Sequence, residues 1–201
     1  VIHLHVFYRA PTDEASYLER ILDSFPECGR TLTVLTPVVS YPSPGVEVEI
    51  DAIAVRGDRH ETVKDISNRI IGRRQGNWLV ARNTARPGEP LLTQIAHLHE
   101  DLERTVGHLG AGMKDICKVS AYFAPDVSET ELAAAERELA LGFAAANPTY
   151  HGVVLPAFMG DGESVRVEIV ALTGDTERRR VQIPWGWPAP ICYSQGMRCG
   201  D

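Results

Sequence analysis

The chain has 201 residues, a net charge of -7, 44% hydrophobic residues and 23% charged residues. This composition predicts one large or two small folded domains with a real core. The acidic balance argues against nucleic acid as the main partner, because binding to phosphates needs clustered lysine and arginine. No stretch approaches the ~18 apolar residues of a membrane span.

Residues 1–57 are predicted to form a strand, a helix and two further strands. The opening strand "VIHLHVFY" alternates and ends in two aromatic residues. Thr12 can cap the helix that follows, and the helix carries one apolar face. That face is formed by Leu18, Ile21, Leu22 and Phe25. The segment then closes with the alternating strand "GVEVEIDAIAV".

Residues 63–174 repeat this pattern and extend it on the N-terminal side. "ICKVSAYF" corresponds to the opening strand, and Ser128 with Glu131 predicts a capping box at the start of the next helix. A hairpin, "RRQGNWLVARN", and a long amphipathic helix come before them. That helix places Leu91, Ile95, Leu98, Leu102 and Leu109 on one stripe. A complete copy therefore has the order β-β-α-β-α-β-β.

The repeat predicts three parts: 1–57 is the C-terminal half of one copy, 63–174 is a complete copy, and 182–201 is the N-terminal strand of a further copy. "VEI" aligns Glu49 with Glu168, and "MRCGD" at 197–201 aligns with "RRQGN" at 73–77. The order fits either a longer array or a two-domain protein whose repeat order is rotated. The run 178–180, three arginines, is interpreted as a solvated linker.

Cysteine usage adds a weaker expectation about the compartment. The four cysteines form no C-x-x-C pair, so we interpret them as free thiols of a cytoplasmic protein. They are Cys28, Cys117, Cys192 and Cys199.

These motifs together resemble the reactive intermediate deaminase family (Rid or YjgF, also called endoribonuclease L-PSP-like). The resemblance rests on "PICYSQGMRCGD", "DICKVSAYF" and "VEIDAIAV", and it covers nearly the whole chain. It implies an α+β fold resembling chorismate mutase, with a mixed sheet and two helices packed on one face. It also implies a homotrimer, or a pseudo-hexamer if both repeats form rings, and hydrolysis of 2-enamine and 2-imine acids without a metal or organic cofactor.

Four residues take family roles through this resemblance. Arg30 corresponds to the group that binds the substrate carboxylate, which a guanidinium can hold through two parallel hydrogen bonds. Glu49 corresponds to the group that positions the attacking water, a role that burial would favour by raising its pKa. Tyr193 and Ser194 lie at the family's opening "YSQ", which implies a place for both in the substrate site.

The complete copy departs from the family pattern at these positions. Arg69 and Ile70 replace the Tyr-Ser pair, Tyr150 or His151 falls at the arginine position, and only the glutamate is kept, as Glu168. We therefore favour a degenerate copy that supports the other one structurally. The alternative is a site for a different ligand with Arg69 as a relocated carboxylate-binding group.

Two histidines are candidate metal ligands. His3 and His5 share one face of the opening strand, a spacing that can bind a metal. Because no third ligand lies near them in sequence, no metal site is expected.

The sequence therefore favours an enzyme that deaminates a small 2-imino or enamine acid, or a related carboxylate-bearing intermediate, by hydrolysis at a site between repeats or subunits. The alternative is a non-catalytic ligand-binding or regulatory module with the same fold, since fold does not determine function. The expected partner is a small-molecule carboxylate, with no nucleic acid and no membrane. The two functions differ in whether Arg30, Glu49 and Tyr193 meet in one cleft.

Overall fold

The computed structural model describes residues 1–9, 19–21, 23–24, 31–39, 45, 48–56, 60–65, 70–156, 162–175, 177–181 and 196–199. The strands are β1 (His3–Arg9), β2 (Leu32–Val38), β3 (Val48–Ile53), β4 (His60–Lys64), β5 (Ile70–Gln75), β6 (Trp78–Thr84), β7 (Ile116–Phe123), β8 (Thr149–Val154), β9 (Val165–Leu172), β10 (Arg178–Val181) and β11 (Gly196–Cys199). The helices are α1 (Leu91–His108) and α2 (Glu129–Gly142), and a 3₁₀ turn (Met113–Asp115) comes before β7.

The complete copy forms a six-stranded mixed sheet with the order β4-β5-β6-β9-β7-β8. Only the β7–β8 pair in it is parallel; the other pairs are antiparallel. Helices α1 and α2 pack on one face, where apolar side chains alternate along the central strands. The core between sheet and helices includes Leu79, Leu98, Leu102, Val119, Phe123, Leu139, Val167 and Ile169. The expected α+β fold, with two helices on one face of a mixed sheet, is confirmed.

Both helices of the complete copy form where the sequence pattern places them, and the helix predicted after Thr12 lies largely outside the described residues. Helix α1 buries Ile95, Leu98 and Leu102, which recur at helical spacing. At the start of α2 the Glu131 N–H donates to the Ser128 hydroxyl at 3.3 Å, and the Glu131 carboxylate accepts from the Ser128 N–H at 3.1 Å. The predicted capping box is therefore confirmed.

Residues 1–9, 31–39 and 48–56 form a second, three-stranded sheet with the order β2-β1-β3. Strand β1 is parallel to β2 and antiparallel to β3, as β7 is parallel to β8 and antiparallel to β9. The first segment thus has the strand connectivity of the back half of the complete copy.

The strand register corrects the alignment of the two closing strands. Asp51 pairs with His5 in the first copy, and Glu168 pairs with Ser120 in the second. The opening strands align His5 with Ser120, so the structural counterpart of Glu168 is Asp51 and not Glu49. The "VEI" match was shifted by two residues, because both strands are alternating and a two-residue shift keeps every side chain on its face.

The arginine run is part of a strand, so its interpretation as a solvated linker was wrong. Strand β10 pairs with β11, with Arg178 opposite Cys199. Strand β4 pairs with β5 in the same way, with His60 opposite Gln75. Cys199 and Gln75, which the sequence alignment matches, therefore occupy equivalent positions in two hairpins with the same register.

The three-stranded sheet covers the helix-free face of the six-stranded sheet. Apolar side chains from both sheets meet in one cluster: Ile2, Leu32, Val34 and Val80, with Ile53, Val55 and Val170 against them. Arg166 of β9 also donates to the Leu35 carbonyl at 3.1 Å across the interface. Among the described residues, no helix has the length and apolar character needed to cross a membrane.

A close approach between β5 and α1 gives a test of this packing. A Cβ at the buried Gly72 would lie 2.8 Å from Thr105 Cγ2 and 2.9 Å from Leu109 Cδ1. We expect Gly72→Ala to lower the free energy of unfolding by about 1–3 kcal/mol, because the helix must move away from the sheet.

Gly107 is the matched control, because it is exposed on α1 and a Cβ there would meet no atom within 4 Å. Gly107→Ala should raise the free energy of unfolding by about 0.5–1 kcal/mol through helix propensity alone. Urea unfolding followed by circular dichroism measures both. Equal effects of the two changes would contradict the close packing at Gly72.

Candidate functional site

A cavity of about 290 Å³ lies between the two sheets. Its polar lining comes from His3, His5 and Asp51 of the first sheet and from Lys118, Ser120 and Glu168 of the second. The rest of the lining comes from atoms of Ala52, Ile53, Val80, Ile169 and Val170, although the Ile169 side chain itself lies in the helix-side core. Both copies therefore contribute chemical groups to one cavity.

Strand alternation explains why these side chains face the cavity. Val167 and Ile169 point into the helix-side core, so Glu168 between them must point towards the other sheet. Ser120 is its cross-strand neighbour, and Asp51 is the neighbour of His5. Two cross-strand pairs, one from each copy, thus face each other.

Glu168 is the most deeply buried charged group of the cavity, with 7% of its surface exposed. Its Oε2 lies 3.4 Å from His3 Nε2 and 3.7 Å from His5 Nδ1. Burial acts to raise the pKa of this carboxyl, but the bond to His3 and the charges of His5, His3 and Arg166 together hold the pKa below its usual value. Glu168 is therefore ionised at neutral pH.

The second oxygen of Glu168 is not engaged in the same way. Oε1 is buried and makes no hydrogen bond within the part of the chain that the structure describes. A buried carboxylate oxygen without a partner is unusual, because leaving it unsatisfied costs roughly 1–3 kcal/mol. Beside a cavity, this oxygen is suited to hold a water molecule or a polar ligand atom.

His5 is held in place by its neighbours. Its Nε2 lies 2.7 Å from the Thr36 hydroxyl, and its ring stacks on Phe7 with centroids 4.1 Å apart. When the Thr36 hydroxyl donates to Nε2, the ring proton sits on Nδ1, which faces Glu168. Burial lowers the pKa of His5 from 6.5, although the Glu168 charge partly opposes this. His5 is therefore neutral at pH 7.

Tyr122 lies behind this cluster, with its ring edge-on to His5 at a centroid distance of 5.8 Å. Burial raises the pKa of its hydroxyl, and the nearby Glu168 charge raises the pKa further. Tyr122 therefore stays protonated and adds no negative charge beside Glu168.

None of the four site residues predicted from the sequence is among the described residues that line this cavity. Glu49 lies on β3 opposite Phe7, is exposed and is not part of the cavity lining. Arg30, Tyr193 and Ser194 lie outside the described residues. The hypothesis that these groups form one cleft with Glu49 stays a prediction.

Sequence reasoning treated three members of the cavity as minor features. His3 and His5 were considered only as metal ligands, and Glu168 only as the remnant of a degenerate copy. Within the described ranges, no group of three or more His, Cys, Asp or Glu side chains is placed to hold a metal ion. The useful signal was a single carboxylate in the otherwise apolar run "VEIVAL", because a charge within a buried strand needs partners from another element.

Comparison with known proteins gives the fold a context. No family model and no curated protein matches the chain. A Mycobacterium tuberculosis member of the highly conserved YjgF/YER057c/UK114 family superposes with a TM-score of 0.52 and 19% identity, covering 57% of this chain and all of that one.

Two further solved structures are similar over the same extent. An uncharacterized protein from Pseudomonas aeruginosa has a TM-score of 0.51 and 16% identity over 58% of this chain and 100% of its own. A hypothetical protein from Giardia lamblia has a TM-score of 0.50 and 16% identity over 56% of this chain and 94% of its own. Over a little more than half its length, the chain thus has the fold of the YjgF/YER057c/UK114 family structure, as the sequence predicted.

Proposed function

We propose that the cavity between the two sheets hydrolyses a small 2-imino or 2-enamine acid to a 2-keto acid and ammonia. The observation that carries this proposal is the state of Glu168. Its carboxylate is buried and ionised, one oxygen faces two histidines, and the other is without a hydrogen bond among the described residues. A carboxylate so held can orient a water for attack on an electrophilic carbon.

The reaction requires only proton transfers and one water. An enamine becomes an iminium ion when its carbon takes a proton from solvent, and water on Glu168 Oε1 then attacks the iminium carbon as the carboxylate takes a proton from that water. Glu168 next gives that proton to the amino nitrogen of the carbinolamine. When the C–N bond breaks, Glu168 takes the hydroxyl proton and then releases it to solvent, so the products are the keto acid and ammonia and the carboxylate is regenerated.

A carboxylate with a lowered pKa is a weak base, and this suits the proposed substrate. The iminium carbon already carries positive character, so water needs orientation more than deprotonation. His3 and His5 act as positioning residues, because their ring nitrogens lie 3.4 and 3.7 Å from Oε2 and leave Oε1 for a water or substrate atom.

Lys118 supplies the positive charge expected for a carboxylate-bearing substrate. It lines the cavity and is exposed, whereas Glu168 lies buried. A substrate with its carboxylate at Lys118 would place its imine carbon deeper, towards Glu168. A lysine is a less specific carboxylate partner than the arginine expected from the resemblance, since it offers a point charge and no planar fork.

A non-catalytic binding module remains the second candidate, and one observation favours it. The low pKa of Glu168, which burial alone would raise, also suits a charge that only binds a cationic or hydrogen-bond-donating ligand. The two functions differ in turnover and not in binding.

Exchange of Glu168 tests the proposal directly. Glu168→Gln keeps the shape of the side chain and removes the base, so kcat for ammonia release should fall by about 10²–10⁴-fold. Ammonia is measured above the uncatalysed rate while an amino-acid oxidase generates the imino acid in the same solution.

Glu49→Gln is the matched control, because Glu49 is an exposed strand glutamate outside the cavity lining. Its activity should equal that of the unchanged protein. Loss of activity in Glu49→Gln, with Glu168→Gln active, would instead support the site expected from the family resemblance. Binding of the keto acid by an unchanged protein that releases no ammonia would support the binding module.

The pH dependence follows from the lowered pKa of His5. Because the neutral ring is the active form, kcat/KM should be level at neutral pH and fall only as the pH drops through the folded pKa, which lies below 6.5. Protonated His5 would add a positive charge beside Glu168 and weaken it further as a base. The neutral ring also favours the folded state, so stability should fall over the same acidic range.

His5→Asn separates the two titrations, because it keeps an N–H near Glu168 and cannot be protonated. The acidic fall in kcat/KM should then move to the lower pH at which Glu168 is protonated. A pH profile of His5→Asn identical to that of the unchanged protein would contradict the assignment to His5.

We also propose that the chain assembles as a homotrimer, or as a pseudo-hexamer if both repeats form rings. Strand β3 exposes Val48 and Ile50 at 39% and 42%, and a neighbouring copy would cover such apolar side chains. Light scattering at micromolar concentration should give the mass of a trimer or larger assembly. A monodisperse monomer would contradict it.

A further inference from the structure

Two thiols that are distant in sequence lie side by side in the fold. The Sγ atoms of Cys117 and Cys199 are 3.6 Å apart, and 82 residues separate them along the chain. Both are free cysteines, Cys117 buried and Cys199 partly exposed. A disulfide would require the sulfur atoms to approach by only about 1.5 Å, since an S–S bond is about 2 Å long.

A β-bulge places Cys117 beside Cys199. The β7–β9 register shifts at this point, so Ile116 lies opposite Ala171 and Lys118 lies opposite Val170. Cys117 between them has no partner residue on β9. Bulges redirect side chains relative to the regular alternation of a strand, and here the redirected side chain is a thiol.

The hairpin of β10 and β11 brings Cys199 to this bulge. Arg178, directly opposite Cys199, donates to the Lys114 carbonyl at 2.9 Å and to Asp115 Oδ1 at 3.1 Å. These acceptors come immediately before β7. The ion pair and the thiol contact therefore both connect the β10–β11 hairpin to the start of β7.

The two thiols differ in burial, and this difference determines which of them reacts first. Burial and then the contact with Cys199 raise the pKa of Cys117 to about 12, while Arg178 acts in the opposite direction. Cys117 therefore rests as a thiol and does not react first. Cys199 is the more accessible sulfur and can meet a reagent from solvent.

We propose that Cys117 and Cys199 form a thiol–disulfide exchange site, which reacts with low-molecular-weight disulfides such as oxidised glutathione and closes to an intramolecular disulfide. The Cys199 thiolate attacks one sulfur of the reagent, forms a mixed disulfide and releases one thiolate. Cys117 then loses its proton to solvent and attacks the Cys199 sulfur, which releases the second thiolate. Two protein thiols are oxidised, and one reagent disulfide is reduced to two thiols.

The closed form would fasten the β10–β11 hairpin to the complete copy. In the open form, described contacts such as the Arg178–Asp115 pair hold it there without a covalent bond. A cross-link between residues 82 positions apart restricts the unfolded chain strongly, because the stabilisation grows with loop length. Oxidation should therefore raise the thermal stability of the whole chain.

The test uses the full chain with Cys28→Ser and Cys192→Ser, which leaves only the proposed pair. Incubation with excess oxidised glutathione should lower the intact mass by two hydrogen atoms and leave no glutathione attached. The melting temperature should rise by roughly 5–15 °C. Dithiothreitol should reverse both changes.

Cys199→Ser in the same background is the control, since it changes the more accessible partner and keeps Cys117 buried. It should show neither the mass loss nor the rise in melting temperature. Peptide mapping of the oxidised unchanged protein provides a measurement that needs no variant, and it should recover Cys117 linked to Cys199. A persistent glutathione adduct on Cys199, or a link from Cys199 to Cys28 or Cys192 in its place, would overturn the proposal.

Discussion

A carboxylate buried between two sheets is the constraint on which the arrangement of this protein depends. A lone buried charge is strongly unfavourable, so Glu168 needs partners beyond Arg166 of its own sheet. His3 and His5 of the other sheet lie next to it. Packing of the three-stranded sheet on the six-stranded sheet therefore completes both a hydrophobic cluster and an electrostatic cluster. Any relative shift of the sheets by one residue would separate the histidines from the carboxylate.

The same constraint explains why this small cavity carries groups that can bind and activate a ligand. The histidines lie next to one oxygen of Glu168, and the other oxygen is buried without a hydrogen bond among the described residues. Exposed Lys118 lines the same cavity. Burial withdraws water from the carboxylate, and the bond to His3 together with nearby charges such as Arg166 keeps it ionised. The fold alone would not give this combination, since the similar solved structures share the architecture at 16–19% identity. The particular side chains on the helix-free face determine what the cavity can bind.

Local patterns were predicted correctly from the sequence, whereas the register of the closing strands and the contacts between the two sheets were not. The stripe of α1 and the capping box at Ser128 are local, so spacing alone predicts them. The registers of β3 and β9 depend on pairing across a sheet, and a shift of two residues leaves the alternation unchanged. For this reason Glu49 was matched to Glu168 where Asp51 belongs. The meeting of His5 with Glu168 needs the packing of two sheets, which no local pattern encodes.

The matched positions of the two copies have a consequence for how such a cavity can change. His3, His5 and Asp51 of the first copy correspond in strand position to Lys118, Ser120 and Glu168 of the complete copy. In an assembly of identical subunits, a two-fold contact repeats every substitution on both sides. Two copies within one chain remove that symmetry, so a histidine can appear on one wall without displacing the lysine on the other. One carboxylate can then become a buried, ionised group while its counterpart stays at the solvent, and a single cavity acquires two unlike ends.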